Sequence, residues 1–317
     1  MARKGPSRIN CLLAVDKPEG CPSHDVVARA RRALGERRVG HAGTLDPAAT
    51  GVVVLGVGQA TRLLGMLAQD VKSYVARIEF GSETTTDDAE GEVSRTAGVP
   101  SDLSGEAFAR DALAGMLGPS MQVPPAFSAI SVNGVRAYKA ARAGDALELE
   151  PRPVTVHAAD LIAVEAGDRV CWTVSFTVSK GTYIRALARD LGRALGTAAH
   201  LSGLRRTASG AVSLSQCLRV DYLSAETAEA CALDPVACLG LPRVDLPERC
   251  LADIACGRPV PYDAAAPGTA RALGAAAGEP LRACLVVSGR LVAVARAETD
   301  ALRMQDVFPG GISGVSS

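Results

Sequence analysis

The sequence predicts an α+β protein in which strands and amphipathic helices share one chain of 317 residues. The clearest strand is VCWTVSFTVS (170–179), where apolar side chains occupy one face and mainly Thr and Ser the other. The clearest helix follows directly in KGTYIRALARDLGRAL (180–195), where apolar residues recur at helical spacing. After residue 240 the sequence becomes rich in Ala, Gly and Pro, and its alternating segments predict a small β-rich domain.

A helix is also predicted near the N-terminus, where Val27, Ala30 and Leu34 recur at helical spacing. Ser23 is its expected N-cap, and Asp25 in the first turn complements the helix dipole. The same reasoning predicts the remaining elements in order: a strand at 51–57, a helix at 59–69, a strand at 73–80 with Tyr74 on its apolar face, an acidic loop or edge hairpin at 81–106, a helix near 105–117, and a hairpin around Ser288–Gly289.

The predicted domain organisation has two parts and an insertion. The main domain covers 1–239, the small C-terminal domain covers 240–310, and a disordered tail covers 311–317. The insertion at about 122–154 combines Pro-rich sequence, an Asn-Gly turn signal and basic residues around a tyrosine. This composition predicts an arm formed by a hairpin and a short helix.

Composition excludes several classes of protein. No apolar run approaches the ~20 residues of a membrane helix, and the N-terminus lacks the apolar core of a signal peptide, so a cytoplasmic location is expected. Nine cysteines without a C-x-x-C pair and four scattered histidines predict neither a disulfide framework nor a metal site. The cysteines are interpreted as reduced core residues.

Charge is segregated along the chain although 34 basic residues balance 34 acidic ones. Residues 1–40 contain nine basic and four acidic residues, and residues 180–207 contain six and one. Residues 79–106 contain eight acidic residues and one basic residue. This segregation is compatible with a basic groove for a polyanion, although solvated helix faces explain it equally well.

Other nucleotide and hydrolase motifs are weak or missing. GVVVLGVGQATRLL imitates a dinucleotide fingerprint, but Thr61 stands where the third glycine belongs and the next strand begins too soon. The sequence has no G-x-x-x-x-G-K-[ST] phosphate loop and no G-x-S-x-G nucleophile elbow. A cofactor-dependent enzyme is therefore not indicated.

The segment RRVGHAGTLDPAATGVVVLG (37–56) places Asp46 in a Gly- and Pro-containing loop beside His41 and Thr44. Pro47 biases Asp46 toward an extended backbone. On spacing alone, an ordinary Asp-Pro turn explains this residue better than a catalytic carboxylate does.

The loop nevertheless resembles the signature of the TruB family of tRNA pseudouridine-55 synthases. LLAVDKPEG precedes it, and KSYVARIEFG, TTTDDAEG, QVPPAFSAISVNGVRAYKAARAG, SKGTYIRALARDLG and AHLSGLRRT follow in the family's order. The resemblance covers roughly residues 9 to 210. It implies the pseudouridine synthase fold, with a central mixed sheet flanked by helices and a PUA-like C-terminal domain.

The resemblance also implies roles for particular residues. Asp46 would be the nucleophile, Tyr74 would stack on the target uracil, Arg185 would pair with Asp46, and His41 would enter the tRNA loop when the base is turned out. Lys17, Thr44, Lys180 and Tyr183 would be supporting residues in the matching motifs. The basic runs supply the expected phosphate contacts, with roughly half of these arginines expected to be only solvated: Arg29, Arg31, Arg32, Arg37, Arg38, Arg189, Arg193, Arg205 and Arg206.

The implied activity is isomerisation of uridine 55 in the T loop of tRNA, with tRNA as partner, no cofactor, no membrane and a monomer without an obligate protein partner. The alternatives are a non-catalytic tRNA-binding or tRNA-folding protein using the same groove, a guide-RNA-dependent relative, and a dinucleotide-dependent enzyme. Two departures from the family pattern are noted: Pro22 stands where the family usually has Thr, and the C-terminal domain matches only loosely.

Overall fold

The computed structural model describes residues 7–132, 134–145, 147–264, 281–298 and 301–316. The chain divides into two compact units. The first comprises Met1–Pro47, Gly51–Gln69 and Ser209–Ser317, and the second comprises Ala48–Thr50 and Asp70–Ala208. Across the described ranges, no helix has both the length and the apolar character needed to cross a membrane.

Short helices are interspersed among runs of strands, as expected for an α+β protein. The helices are α1 (Ser23–Leu34), α2 (Leu64–Leu67), α3 (Glu106–Ala114), α4 (Ala137–Arg142), α5 (Ile184–Ala194), α6 (Ala225–Ala230), α7 (Pro235–Leu239) and α8 (Leu251–Ala255). The strands are β1 (Cys11–Lys17), β2 (Val39–His41), β3 (Thr50–Val57), β4 (Lys72–Phe80), β5 (Ser82–Thr84), β6 (Val93–Thr96), β7 (Gly118–Gln122), β8 (Ser131–Val132), β9 (Val135–Arg136), β10 (Arg152–Ala166), β11 (Val170–Val178), β12 (Ala199–Ser209), β13 (Val212–Ser213), β14 (Cys217–Arg219), β15 (Arg243–Asp245), β16 (Val260–Pro261), β17 (Arg282–Val287), β18 (Arg290–Ala297) and β19 (Ala301–Ile312).

The first unit combines the N-terminal strands with a C-terminal sheet. β1 pairs in parallel with β14 and antiparallel with β3, so its sheet is mixed. The second sheet has the order β15-β17-β18-β19-β16. Leu12 and Val54 from the first sheet share a hydrophobic core with Cys284, Val286 and Phe308 from the second. Segments on either side of the predicted boundary at 239/240 therefore bury apolar surface together.

The C-terminal segment of the first unit continues beyond the predicted domain. β19 extends to Ile312, and the N–H of Ser313 donates to the Asn10 carbonyl at 2.9 Å. The N–H of Ser316 donates to Oδ2 of Asp234 at 3.0 Å. The predicted disordered tail thus has hydrogen-bond partners as far as Ser316, while Ser317 and residues 265–280 of the predicted C-terminal domain lie outside the described residues.

The second unit is built on a sheet of the order β12-β4-β11-β10-β7. Trp172 of β11 is fully buried, packs edge-on against Phe80 at 4.7 Å between ring centroids, and donates from its indole N–H to the Leu103 carbonyl at 2.8 Å. The acidic stretch contains the hairpin β5–β6, and the arm contains the hairpin β8–β9 followed by α4. The strand and hairpin predictions for this unit are confirmed, and the segment 122–154 contains the predicted hairpin and short helix.

The helix predicted over 59–69 is shorter and tighter than expected. Its first part is a 3₁₀ turn at Gly58–Leu63, and only α2 is α-helical. The Thr61 hydroxyl donates to the Gly58 carbonyl at 2.7 Å, a local side-chain bond that competes with regular helix geometry.

Candidate active site

The loop that carries Asp46 is held by the end of β1 and the turn after it. Lys17 is fully buried, and its Nζ donates to the carbonyl oxygens of Cys21 at 2.7 Å and Pro47 at 2.9 Å. The N–H of Gly20 donates to the same Pro47 oxygen at 2.9 Å. Because an ammonium offers three donors, it can bind several carbonyl groups at once. Lys17 therefore fixes the residue that follows Asp46.

Ser23 fixes the residue that precedes Asp46. Its hydroxyl accepts a hydrogen bond from the Leu45 N–H at 2.9 Å and donates to the Leu45 carbonyl at 3.0 Å. The prediction that Ser23 caps α1 is wrong, because Pro22 occupies the N-cap position and the Ser23 hydroxyl binds the loop instead. Asp46 is thus held on both sides while its own side chain remains half-buried.

His41 and Thr44 lie on the stretch that leads to Asp46. His41 ends β2 opposite Leu55 of β3 and is half-buried, whereas Thr44 is exposed. Gly43 has a φ of 110°, a conformation that glycine adopts without steric cost, so the chain can turn between these two residues. The first unit therefore brings four predicted site residues into one small region: Lys17, His41, Thr44 and Asp46.

Helix α5 of the second unit begins after a tight turn that carries two further predicted residues. The Thr182 hydroxyl donates to the Ser179 carbonyl at 2.9 Å, and Lys180 is exposed on this turn. Tyr183 is half-buried and occupies the N-cap position of α5. Its backbone N–H donates to Gln122 Oε1 at 2.9 Å, and Gln122 Nε2 donates to its carbonyl at 3.1 Å.

Arg185 lies in the first turn of α5 and is buried. Its guanidinium donates to the carbonyl oxygens of Thr86 at 2.9 Å and Phe127 at 3.1 Å, and it lies 3.5 Å from the Asp88 carboxylate. These partners come from the acidic stretch and from the beginning of the arm. The pairing of Arg185 with Asp46 stays a prediction, because the two residues belong to different units.

Two other arginines of α5 bind the acidic stretch as well. Arg189 donates to Asp87 at 2.7 Å between two buried side chains, and Arg193 donates to both carboxylate oxygens of Glu83 at 3.0 and 2.6 Å. The hydrogen bond from Arg193 is the main cause that lowers the pKa of Glu83, whereas burial raises the pKa of Asp87 despite the adjacent arginine. The predicted phosphate contact is therefore wrong for Arg189, whose donors are used within the protein.

Tyr74 lies near the beginning of β4 on the buried face of the strand. It is opposite Phe176 of β11 and shares its face with Ala76 and Ile78, which are fully buried. The predicted two-residue repeat of this strand is confirmed. Arg206 is also buried, so the phosphate contact predicted for it is wrong.

Comparison with known proteins identifies the family of this chain. The model described as TruB family pseudouridylate synthase (N terminal domain) matches residues 31–184, and the model described as tRNA pseudouridylate synthase B C-terminal domain matches residues 185–237. The chain is 46% identical over 286 residues to tRNA pseudouridine synthase B of Paenarthrobacter aurescens strain TC1, with 89% of this chain and 90% of that protein covered. The chain belongs to the TruB family. A second relative of the same name, from Nocardia farcinica strain IFM 10152, is 50% identical over 229 residues, which are 71% of this chain and 74% of its own length.

Solved structures show that this TruB-family chain has the fold that its sequence predicts. It superposes on a chain of "Crystal Structure of a Cbf5-Nop10-Gar1 Complex" with a TM-score of 0.66 and 24% identity, covering 94% of this chain and 84% of that chain. The chain of "Crystal structure of the archaeal box H/ACA sRNP Nop10-Cbf5 complex" gives a TM-score of 0.64 and 21% identity, with 94% and 85% covered. The pseudouridine synthase fold is confirmed.

Sequence reasoning about this TruB-family chain missed Gln122, Asp87 and Asp88 as partners of the α5 region. The motif TTTDDAEG contributed to the family resemblance but was interpreted as a loop or edge hairpin. The signal available was charge, because 79–106 is strongly acidic and 180–207 is strongly basic. Side chains of these two stretches form ion pairs within one unit.

Proposed function

We propose that this chain converts uridine to pseudouridine at position 55 in the T loop of tRNA, with Asp46 as the nucleophile. The observation that carries the proposal is the Asp46 loop. Its neighbours Leu45 and Pro47 are bound by Ser23 and Lys17, while Asp46 itself is half-buried. This loop belongs to a chain whose relatives are named tRNA pseudouridine synthase B.

The reaction breaks the N1–C1′ glycosidic bond, rotates the freed uracil and joins C5 to C1′. The proton at C5 leaves and N1 gains a proton, so substrate and product are isomers. Because no electron or phosphoryl group is transferred, the reaction requires neither a redox cofactor nor a nucleotide. Carboxylate, aromatic and guanidinium side chains can supply the necessary chemistry.

A carboxylate suits the proposed role of Asp46, because an ordinary Asp side chain has a pKa of about 3.9 and is ionised at neutral pH. The bonds to Leu45 and Pro47 restrict the backbone on either side of it. Such preorganisation reduces the rearrangement that is needed when the nucleotide arrives. The guanidinium of Arg185 is proposed to keep the carboxylate ionised in the closed site.

The target base must first leave its stack, which costs a few kcal/mol. Stacking on Tyr74 is proposed to offset part of this, since a base on an aromatic ring is worth about 1–3 kcal/mol. His41 would enter the space in the tRNA loop, and Thr44, Lys180 and Tyr183 would support the bound nucleotide. The arm would grip the T arm, and the C-terminal domain at 240–310 would contact the acceptor side of the tRNA.

We further propose that the enzyme acts in the cytoplasm as a monomer without an obligate protein partner. The substrate proposed here is a complete tRNA rather than a target selected by a guide RNA. A transcript of the tRNA alone should therefore be sufficient for activity.

The test is the Asp46→Asn variant, assayed on a T-arm stem-loop and on full tRNA transcripts without guide RNA. Pseudouridine formation should fall by at least about 10³-fold because the nucleophile is lost, while RNA binding should stay within about threefold of wild type. Asp168→Asn, in the exposed turn between β10 and β11, is the matched control and should retain full activity.

Wild-type turnover by Asp46→Asn would overturn the assigned nucleophile. If the wild-type protein instead binds the transcript and produces no pseudouridine, the chain is a tRNA-binding or tRNA-folding protein. Modification at a uridine other than 55 would overturn the proposed position alone.

A further inference from the structure

We propose that Gln122 is a positioning residue that sets the beginning of α5 and links it to the arm, an inference that rests on the proposed function. Gln122 ends β7, is 3% exposed, and is the first residue of the arm. The sequence predicts no individual role for Gln122.

Helix α5 lacks a cap from its own N-cap side chain. Tyr183 occupies the N-cap position and makes no side-chain capping bond. Backbone N–H groups at the beginning of a helix need acceptors from outside the helix. Gln122 Oε1 accepts from the Tyr183 N–H at 2.9 Å, and Gln122 Nε2 donates to the Tyr183 carbonyl at 3.1 Å. The Gln122 side chain therefore binds both the backbone N–H and the backbone carbonyl of Tyr183.

Helix α5 also binds the chain immediately after Gln122. Arg189 donates to the Val123 carbonyl at 2.9 Å, and Arg185 donates to the Phe127 carbonyl at 3.1 Å. Pro124 and Pro125 lie between these two attachments and restrict the backbone there. The base of the arm, residues 122–127, is thus a stiff segment attached to α5 at three positions.

The consequence is that the arm and the first turn of α5 move together. Tyr183 and Arg185 have proposed roles at the nucleotide, and both lie within the first residues of this helix or directly before it. A displacement of about 1 Å in an active site can cost about 10²-fold in rate. Gln122 acts on the reaction through Tyr183 and Arg185 and has no contact with substrate in this proposal.

The experiment compares wild type with Gln122→Ala and Gln122→Glu in full-length protein at pH 5.5 and pH 8. Gln122→Ala should lower kcat about 10- to 100-fold at both pH values, with KM for tRNA changed less than about threefold. Gln122→Glu should lose activity at pH 8, where its carboxylate repels the Tyr183 carbonyl. It should recover at pH 5.5 as the buried acid gains a proton and can donate again.

Amide hydrogen exchange provides a readout that does not depend on turnover. Peptides covering 183–189 should exchange faster than wild type in Gln122→Ala at both pH values, and in Gln122→Glu only at pH 8. Gln216→Glu is the matched control, because Gln216 also accepts from a backbone N–H, at Ser213, in an exposed turn of the other unit. Its kcat should equal that of wild type at both pH values.

Unchanged exchange together with a kcat within twofold of wild type would overturn the proposal. Faster exchange with unchanged kcat would overturn the positioning role and leave only a structural bond. An inactive wild-type protein would overturn the proposed function and the positioning role with it, whereas the bond between Gln122 and Tyr183 would still be judged by the exchange data.

Discussion

Two helices of this protein each carry three arginines and place them in different environments. In α1, Arg29, Arg31 and Arg32 are exposed. In α5, Arg185 and Arg189 are buried and bound to groups from other segments of their unit. The comparison shows that the density of basic residues on a helix does not by itself predict contact with a polyanion.

The difference arises from what each helix faces. Arg29 lies 3.8 Å from the exposed Asp221, and Arg31 donates to the Val39 carbonyl. Within the described part of the chain, the Arg32 side chain forms no hydrogen bond or ion pair. The α5 arginines instead meet the acidic residues of 79–106, which supply Glu83 and other carboxylates. Acidic neighbours turn potential RNA contacts into internal ion pairs.

The largest loss in the free energy of unfolding is expected from Arg189→Gln in α5. It leaves the buried Asp87 without its hydrogen-bonded guanidinium, and breaking a buried pair in this way costs about 3–5 kcal/mol. Urea unfolding monitored through Trp172 should show the loss in the free energy of unfolding. The double variant Asp87→Asn with Arg189→Gln should lose less, because no charge is left buried. A loss below about 1 kcal/mol in the single variant would mean that the pair does not stabilise α5.

An intermediate loss in the free energy of unfolding, which depends on pH, is expected from Glu83→Gln. Arg193 and Arg95 lower the pKa of Glu83 in the folded protein from its ordinary value of 4.5. Because the pKa of Glu83 is lower in the folded protein, its ionised carboxylate stabilises the fold. This stabilisation is complete well above pH 4.5 and is lost as the pH falls through the folded pKa.

The variant should therefore be less stable than wild type by about 1–3 kcal/mol at about pH 7, and the difference should be smaller at about pH 4. Urea unfolding at both pH values measures this difference. A difference that is the same at both pH values would show that the Glu83 charge is not the source of the stabilisation.

The smallest effect on stability is expected from Arg32→Gln, within about 0.5 kcal/mol. If Arg32 contacts a phosphate, as predicted, the variant should bind tRNA more weakly and the slope of log affinity against log salt should decrease by about 1. Arg110→Gln in α3 is the control and should leave this slope unchanged, because Arg110 is an exposed arginine outside the predicted phosphate contacts and its guanidinium is bound to Glu106. Equal slopes for wild type and Arg32→Gln would remove α1 from the RNA-binding surface.

Much of the fold could be predicted because it depends on local repeats. The alternation in β11 and the helical spacing in α1 and α5 are present in short windows, and the structure has these elements. The cap of α1 could not be predicted locally. Ser23 has the sequence context of an N-cap, but its hydroxyl bonds to Leu45, 22 residues away, and Pro22 takes the N-cap position.

By itself, the sequence determined the family, the α+β class and Asp46 as the candidate nucleophile. The order of motifs and the periodicity of residues can be read directly from the amino-acid sequence. Only the tertiary structure decided that Lys17 and Ser23 hold the Asp46 loop and that Gln122 holds the N-cap residue of α5. Hydrogen bonds and ion pairs act over a few ångströms, so their partners depend on which distant segments the fold brings together. The composition of a segment cannot specify those distances.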